Sequence, residues 1–237
     1  MPAEPHRIVT GNRILDALPA HEFEELRPHL EPAVFALKQV LFRPGDEIAF
    51  IYLPVSGALS VITLLQDGSS VEVGTIGNEG LLGLSALLGD GISLHEVVIQ
   101  GAGHGFRAST RIMRQIFERS GAFRDLVMKL SQFVVAEISQ TAACNGRHDL
   151  QARCARWLLT MADKLKTDHF PLSQEFLAIL LGVQRTAVTA AAQGLRRKNL
   201  IHYRHGLIEI LDRGGLEAAA CECYITMKNL RDRFLDG

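Results

Sequence analysis

Apolar residues change their spacing several times along this chain, and each change predicts a change of structure. Over residues 12–31, Leu15, Leu18, Phe23, Leu26 and Leu30 recur at near-helical intervals, with Pro19 as an interruption. From residue 34 to residue 106 the apolar runs shorten. They are cut by Pro44-Gly45-Asp46, Ser56-Gly57, Asp67-Gly68, Gly77-Asn78 and Gly89-Asp90-Gly91. Residues 58–61 and 71–73 predict strands, with Asp67-Gly68 as the hairpin turn between them. Many short strands punctuated by Gly and Pro predict an antiparallel sandwich or barrel. Past residue 109 the helical period returns, first as a short helix over 109–119 and then as a long one over 122–147. Phe123, Val127, Leu130, Val134 and Ile138 form one stripe along the long helix. Such a stripe fits a helix packed on its own sandwich, and equally a helix shared with a second copy of the chain as a short coiled coil. Gly146-Arg147-His148 reads as a hinge, and Asp149 as the N-cap of a further helix over 150–165.

Residues 172–201 carry the clearest functional signal. Ser173 caps a first helix, with Glu175 in its first turn favourably placed on the helix dipole. Leu177, Ala178 and Leu181 supply its apolar face, and Gly182 takes the left-handed conformation of a tight turn. A second helix runs from Gln184 to about Lys198, with Ala187, Val188, Ala191 and Leu195 facing inward. Gln184, Arg185, Thr186 and Thr189 occupy its outward N-terminal face, the part of a helix-turn-helix that enters the major groove. Arg matches the acceptor pair of guanine and Gln the edge of adenine. Ser173 and Gln174 fall where a DNA backbone would cross, and Arg196, Arg197 and Lys198 are candidates for phosphates. Residues 200–203 and 207–211 predict a hairpin wing, with Arg204 and His205 at its tip.

Charge sharpens this picture. The chain has 237 residues and a net charge of −1, which favours no class of partner. Residues 149–206, however, carry net +5 against −4 for residues 1–148, and 185–206 contain five Lys or Arg with no acid. A local basic stripe of this kind is the electrostatic footprint of a nucleic-acid surface. No leader peptide and no membrane-length apolar run are evident, so a cytoplasmic protein without a membrane partner is expected. Cys144, Cys154, Cys221 and Cys223 are sparse, and a single residue separates the last two. Free, partly buried thiols with no metal or redox role are the expectation.

The whole of residues 20–215 resembles the Crp–Fnr family, the relatives of the cyclic-AMP receptor protein. The resemblance rests on Leu180-Leu181-Gly182-Val183-Gln184-Arg185, on Leu195 with Leu200-Ile201, and on Gly206 of the wing. It extends to Arg43-Pro44-Gly45-Asp46, to residues 52–57, and to Asp149 with Arg153 and residues 156–159. It implies an α+β fold with three parts. A double-stranded β-helix sensor domain like those that bind cyclic nucleotides spans 12–121, a dimerisation helix 122–147, and a winged helix-turn-helix domain 149–237. It also tilts the long stripe, Phe123, Val127, Leu130, Val134 and Ile138, toward a dimer contact. Expected partners are double-stranded DNA, a second copy of the chain and RNA polymerase.

The departures from the family carry their own expectations. The recognition helix lacks the family's usual acid, since Arg185 is followed by Thr186 and Ala187, and Ala190 stands where a second Arg is common. The preferred half-site should therefore differ. No carboxylate lies between Gly80 and Gly83 and no Arg between Arg43 and Arg107, so the residues that hold cyclic AMP in the family are missing. The effector is left unassigned and no cofactor is expected. His95 and His104 are the candidates for a haem ligand. An enzyme is not expected: cupin chemistry needs a close His-Glu-His cluster, which residues 34–106 lack. A sensor with a vestigial DNA-binding half is the remaining alternative.

Overall fold

Strand formation follows the Gly- and Pro-cut runs. The computed structural model describes residues 9–119 and 121–236. Seven strands come from the β-rich half: β1 (Glu31–Phe35), β2 (Val40–Phe42), β3 (Phe50–Pro54), β4 (Ala58–Leu64), β5 (Ser70–Ile76), β6 (Glu96–Gly101) and β7 (Gly103–Ser109). They form two antiparallel sheets, β1-β7-β3 and β2-β6-β4-β5. Phe35, Ile51, Leu53 and Ala108 from one sheet share a fully buried core with Leu59, Val97 and Ile99 from the other.

Three helical pieces precede the strands: α1 (Arg13–Asp16), α2 (Ala20–Leu26) and a single 3-10 turn (Arg27–His29). Pro19 separates the first two, as its fixed backbone and missing N–H require. α3 (Leu84–Leu88) lies between β5 and β6, and α4 (Thr110–Arg119) leads into the long α5 (Gly121–Arg147). The Glu22 carboxylate on α2 accepts hydrogen bonds from the Ala122 and Phe123 N–H groups, which closes the N-terminus of α5 onto the sandwich.

The stripe on α5 divides. Phe123, Val127 and Leu130 are buried in the chain's own sandwich core, and Val134 packs on its edge. These four are therefore spent on intramolecular packing, and of the five stripe residues only Ile138 is open, at 43% exposure.

The second half begins at Asp149, whose side chain accepts from the Ala152 N–H to cap α6 (Leu150–Leu165). It continues through β8 (His169–Pro171), α7 (Gln174–Leu181), α8 (Arg185–Arg197), β9 (Ile201–Arg204), β10 (Leu207–Ile210) and α9 (Arg213–Ala219). β8 pairs with β10 and makes the wing a three-stranded sheet, β8-β10-β9. A last helix, α10 (Cys223–Asp236), leaves this unit and packs back along α5, where Phe234 stacks on Phe133 at 5.3 Å. Among the described residues, no single helix is long and apolar enough to cross a membrane.

Candidate nucleic-acid interface

Ser173 holds an extended backbone ahead of α7, and its hydroxyl oxygen accepts from the Phe176 N–H at 3.1 Å. At the other end Gly182 adopts φ 63°, ψ 41°, a left-handed conformation that a side chain resists. The Arg153 guanidinium, buried on α6, donates to the Leu181 carbonyl at 2.6 Å and satisfies one of the last acceptors of α7. The chain then turns so that α7 and α8 meet at 104°, the geometry of a helix-turn-helix. Gln184 stays extended as the N-cap, so α8 starts at Arg185, one residue later than its sequence pattern predicts.

The inward face of α8 is formed by Val188, Ala191, Ala192, Gly194 and Leu195, all buried; Ala187 is half-buried. Gln184, Arg185 and Thr186 project into solvent on the other side. Thr189 is half-buried, and its hydroxyl lies 2.9 Å from Gln174 Oε1 and 3.0 Å from the Arg185 carbonyl. Thr189 and Gln174 are thus held against each other, fixing α7 to α8, while the three residues ahead of them face outward. Arg196, Arg197 and Lys198 are exposed about 16 Å further along the helix axis. That distance removes them from the base edges that Arg185 can reach.

In the wing, His205 and Gly206 both have positive φ, 51° and 76°. This two-residue primed turn matches the twist of its strands, and Arg204 is the last residue of β9 rather than part of the loop. Arg204 and His205 are exposed at the tip. The Tyr203 hydroxyl donates to the Leu172 carbonyl at 3.0 Å and ties the wing to the approach of α7.

The helix-turn-helix is docked on the sensor half. A side chain on Gly182 would lie 2.8 Å from Val71 Cγ2 of β5. One residue on, Glu72 Oε1 accepts from the Trp157 indole N–H at 2.7 Å, and its second oxygen has no partner among the described residues. Burial raises the Glu72 carboxyl to about 7. Lys164 and Glu79 form a buried ion pair beside it. Burial pushes Glu79 upward, but the Lys164 ammonium outweighs it and holds that carboxyl below its ordinary value.

Beneath α5 the sandwich carries a half-open pocket of about 210 Å³, walled mainly by Val61, Val73, Leu82, Leu94, Val97 and Val134, with Glu137 of α5 also lining it. No Arg or Lys lines it. His95 borders it, with Nδ1 3.2 Å from Thr63 Oγ1, and burial lowers its pKa. His104 is exposed and lies 2.9 Å from Ser56 Oγ.

Comparison with known proteins agrees with this architecture. Residues 33–120 match the cyclic nucleotide-binding domain and residues 152–219 the Crp-like helix-turn-helix domain. No curated protein matches by sequence. Among solved structures, a Crp/Fnr-family transcriptional regulator from Eubacterium rectale aligns with a TM-score of 0.69 at 17% identity, over 85% of this chain and 94% of its own. The c-di-GMP-responsive global regulator CLP of Xanthomonas campestris aligns at 0.66 and 19%, over 81% and 98%. A CRP-family transcriptional regulator from Thermus thermophilus aligns at 0.65 and 24%, over 79% and 96%. With a cyclic nucleotide-binding domain, one long helix and a Crp-like helix-turn-helix in this order, the chain belongs to the Crp–Fnr family of DNA-binding transcription regulators.

Proposed function

We propose that this protein is a homodimer that binds an inverted-repeat site in double-stranded DNA and regulates transcription there, in the cytoplasm and in contact with RNA polymerase. The observation that carries this is the docked pair α7–α8, with Gln184, Arg185 and Thr186 presented outward from an acid-free basic stripe. Arg185 is assigned to a guanine edge, Gln184 and Thr186 to its neighbours, and Ser173, Arg196, Arg197, Lys198, Arg204 and His205 to phosphates. Gln174 and Thr189 act as positioning residues for α8. Two copies would set their α8 helices about one DNA turn apart.

The dimer seam is assigned to the open face of α5. Met128, Val135 and Ile138 are 55%, 64% and 43% exposed there, at spacings of seven and three that suit a short coiled coil. An effector in the sandwich pocket would be largely apolar and would carry no phosphate, because a phosphate in a site without a cation is unfavourable.

Gel-shift titration of sequences selected from random DNA tests the assignment. Arg185→Ala should weaken specific binding by about 1–3 kcal/mol and relax preference at one base position. Unchanged specific affinity would remove α8 as the reading helix.

A further inference from the structure

Three of the four cysteines gather at one place. Cys144 lies in the last turns of α5, and His148 follows four residues later, with its N–H still bonded to the Cys144 carbonyl in helical fashion. Cys221 and Cys223 flank the bend that opens α10. Cys144 Sγ and Cys221 Sγ are 3.5 Å apart, Cys223 Sγ and His148 Nδ1 are also 3.5 Å apart, and all four donor atoms lie within 4.8 Å of one another. The three thiols are buried. Cys154, by contrast, stands alone in the core, where burial pushes its thiol up to about 12.

We propose that Cys144, His148, Cys221 and Cys223 form a four-ligand site for one zinc-class divalent cation. A tetrahedral ion with metal–sulfur bonds of about 2.3 Å places its ligand atoms roughly 3.5–3.8 Å apart, and the two closest pairs already have that spacing. Three thiolates with one imidazole are a soft set that selects zinc over magnesium or calcium. Four protein ligands leave no open position, which is the pattern of a structural site.

The surroundings support the assignment independently. His148 Nε2 lies 3.0 Å from Glu222 Oε1, so the carboxylate accepts its N–H and leaves Nδ1 as the free donor. This is the usual support of a metal-bound imidazole. The Gln140 side chain donates to Cys223 Sγ at 3.0 Å, as expected around a thiolate. Arg153 and Arg156 are within electrostatic reach of Cys144 and offset the net −1 of a divalent ion with three thiolates. All four ligands fall outside the two segments that match family domains, residues 33–120 and 152–219. The site ties the end of α5 and the hinge residue His148 to the start of α10.

The full chain, purified under reducing conditions and stripped with chelator, should bind one Co2+ per chain. Its spectrum should show the thiolate charge-transfer band and the intense visible bands of tetrahedral cobalt, and one equivalent of Zn2+ should bleach them. Cys221→Ser and Cys223→Ser should each lower the affinity at least about ten-fold, and His148→Cys should keep the metal with a stronger charge-transfer band. Because the cobalt spectrum is read on the unsubstituted chain, the result does not depend on a variant folding. The assignment is overturned if the reduced chain binds neither Co2+ nor Zn2+ stoichiometrically. It is also overturned by an octahedral cobalt spectrum, or by retention of tetrahedral cobalt in the Cys221→Ser/Cys223→Ser double variant.

Discussion

Glu72 offers a measurement of how firmly the helix-turn-helix half is docked on the sensor half. Its carboxyl is buried at the contact, with one oxygen on the Trp157 indole and the other unpartnered among the described residues. Burial raises it from the ordinary 4.5 to about 7, against the nearby Ser60 hydroxyl, the Trp157 indole and the Arg156 charge, and with a push from Glu137. The docked state thus binds a proton that the open state releases. Docking strength from this group is fully present below pH 4.5 and is lost as pH rises through 7. At 1.36 kcal/mol per pH unit the loss amounts to about 3 kcal/mol. Glu72→Gln keeps the oxygen that accepts from Trp157 but has no proton to lose. Trp157 is the chain's single tryptophan, so its emission follows this contact and the helix-turn-helix core in which it packs. In urea titrations followed by that emission, the variant should match the parent near pH 4 and exceed it by about 3 kcal/mol at pH 8. Glu79 titrates in both proteins and cancels in the difference, which reports Glu72 together with its coupling to Glu137. A difference that stays constant with pH, or a variant weaker at pH 8, would refute a buried carboxylate at this contact.

The other expectations concern the turn and the dimer seam. Gly182→Ala places a side chain at φ 63° and should cost about 1–2 kcal/mol, a fall in Tm of roughly 2–8 °C by calorimetry. Adding Val71→Ala should recover only the part due to the 2.8 Å approach; an unchanged Tm in the single variant sinks the left-handed assignment. Val135→Asp alters a residue that is 64% exposed in the single chain, so monomer stability should move by less than about 0.5 kcal/mol. Light scattering should nevertheless show the dimer dissociating, since two carboxylates would face each other across the seam. A dimer of undiminished affinity would place the seam elsewhere.

What the sequence made legible is what short-range chemistry dictates. Ser173 and Asp149 cap helices because a side-chain oxygen reaches an N–H three residues on. Gly182 ends α7, and His205-Gly206 turns the wing, because few residues tolerate positive φ. The exposed trio Gln184, Arg185 and Thr186 followed from helical spacing alone. The start of α8 slipped by one residue because Gln184 caps without a side-chain bond, leaving no signal to mark it. The contacts that join the halves lie beyond such rules. Trp157 with Glu72 and Lys164 with Glu79 each span 85 residues, and Cys144 with Cys221 spans 77. Cys221 and Cys223 lack the usual two-residue spacer, so their tie to a helix end far upstream carries no local pattern. β8 is only three residues long and exists because β10 offers it an edge.

α5 shows why periodicity could not separate sandwich packing from dimerisation. At about 100° per residue, Phe123, Val127, Leu130 and Val134 form one stripe, which the sandwich takes. Phe133, Gln140 and Cys144 form a second, which meets α10. Met128, Val135 and Ala142 form a third, on the side of the helix opposite α10 and left exposed. An amphipathic pattern records which positions avoid water, not what covers them, so three partners on one helix merge into a single apolar signal. Of these three stripes the third is the one left exposed, and the seam proposed above uses it. Ile138 borders that stripe and also lines the sandwich cavity beside Val134. On the proposed dimer, Ile138 would therefore be shared between the pocket wall and the seam. The same helix ends at Arg147, and His148 follows it at the junction with the helix-turn-helix half. Pocket wall and proposed seam therefore lie on one continuous 27-residue helix that runs up to that junction with no loop between them.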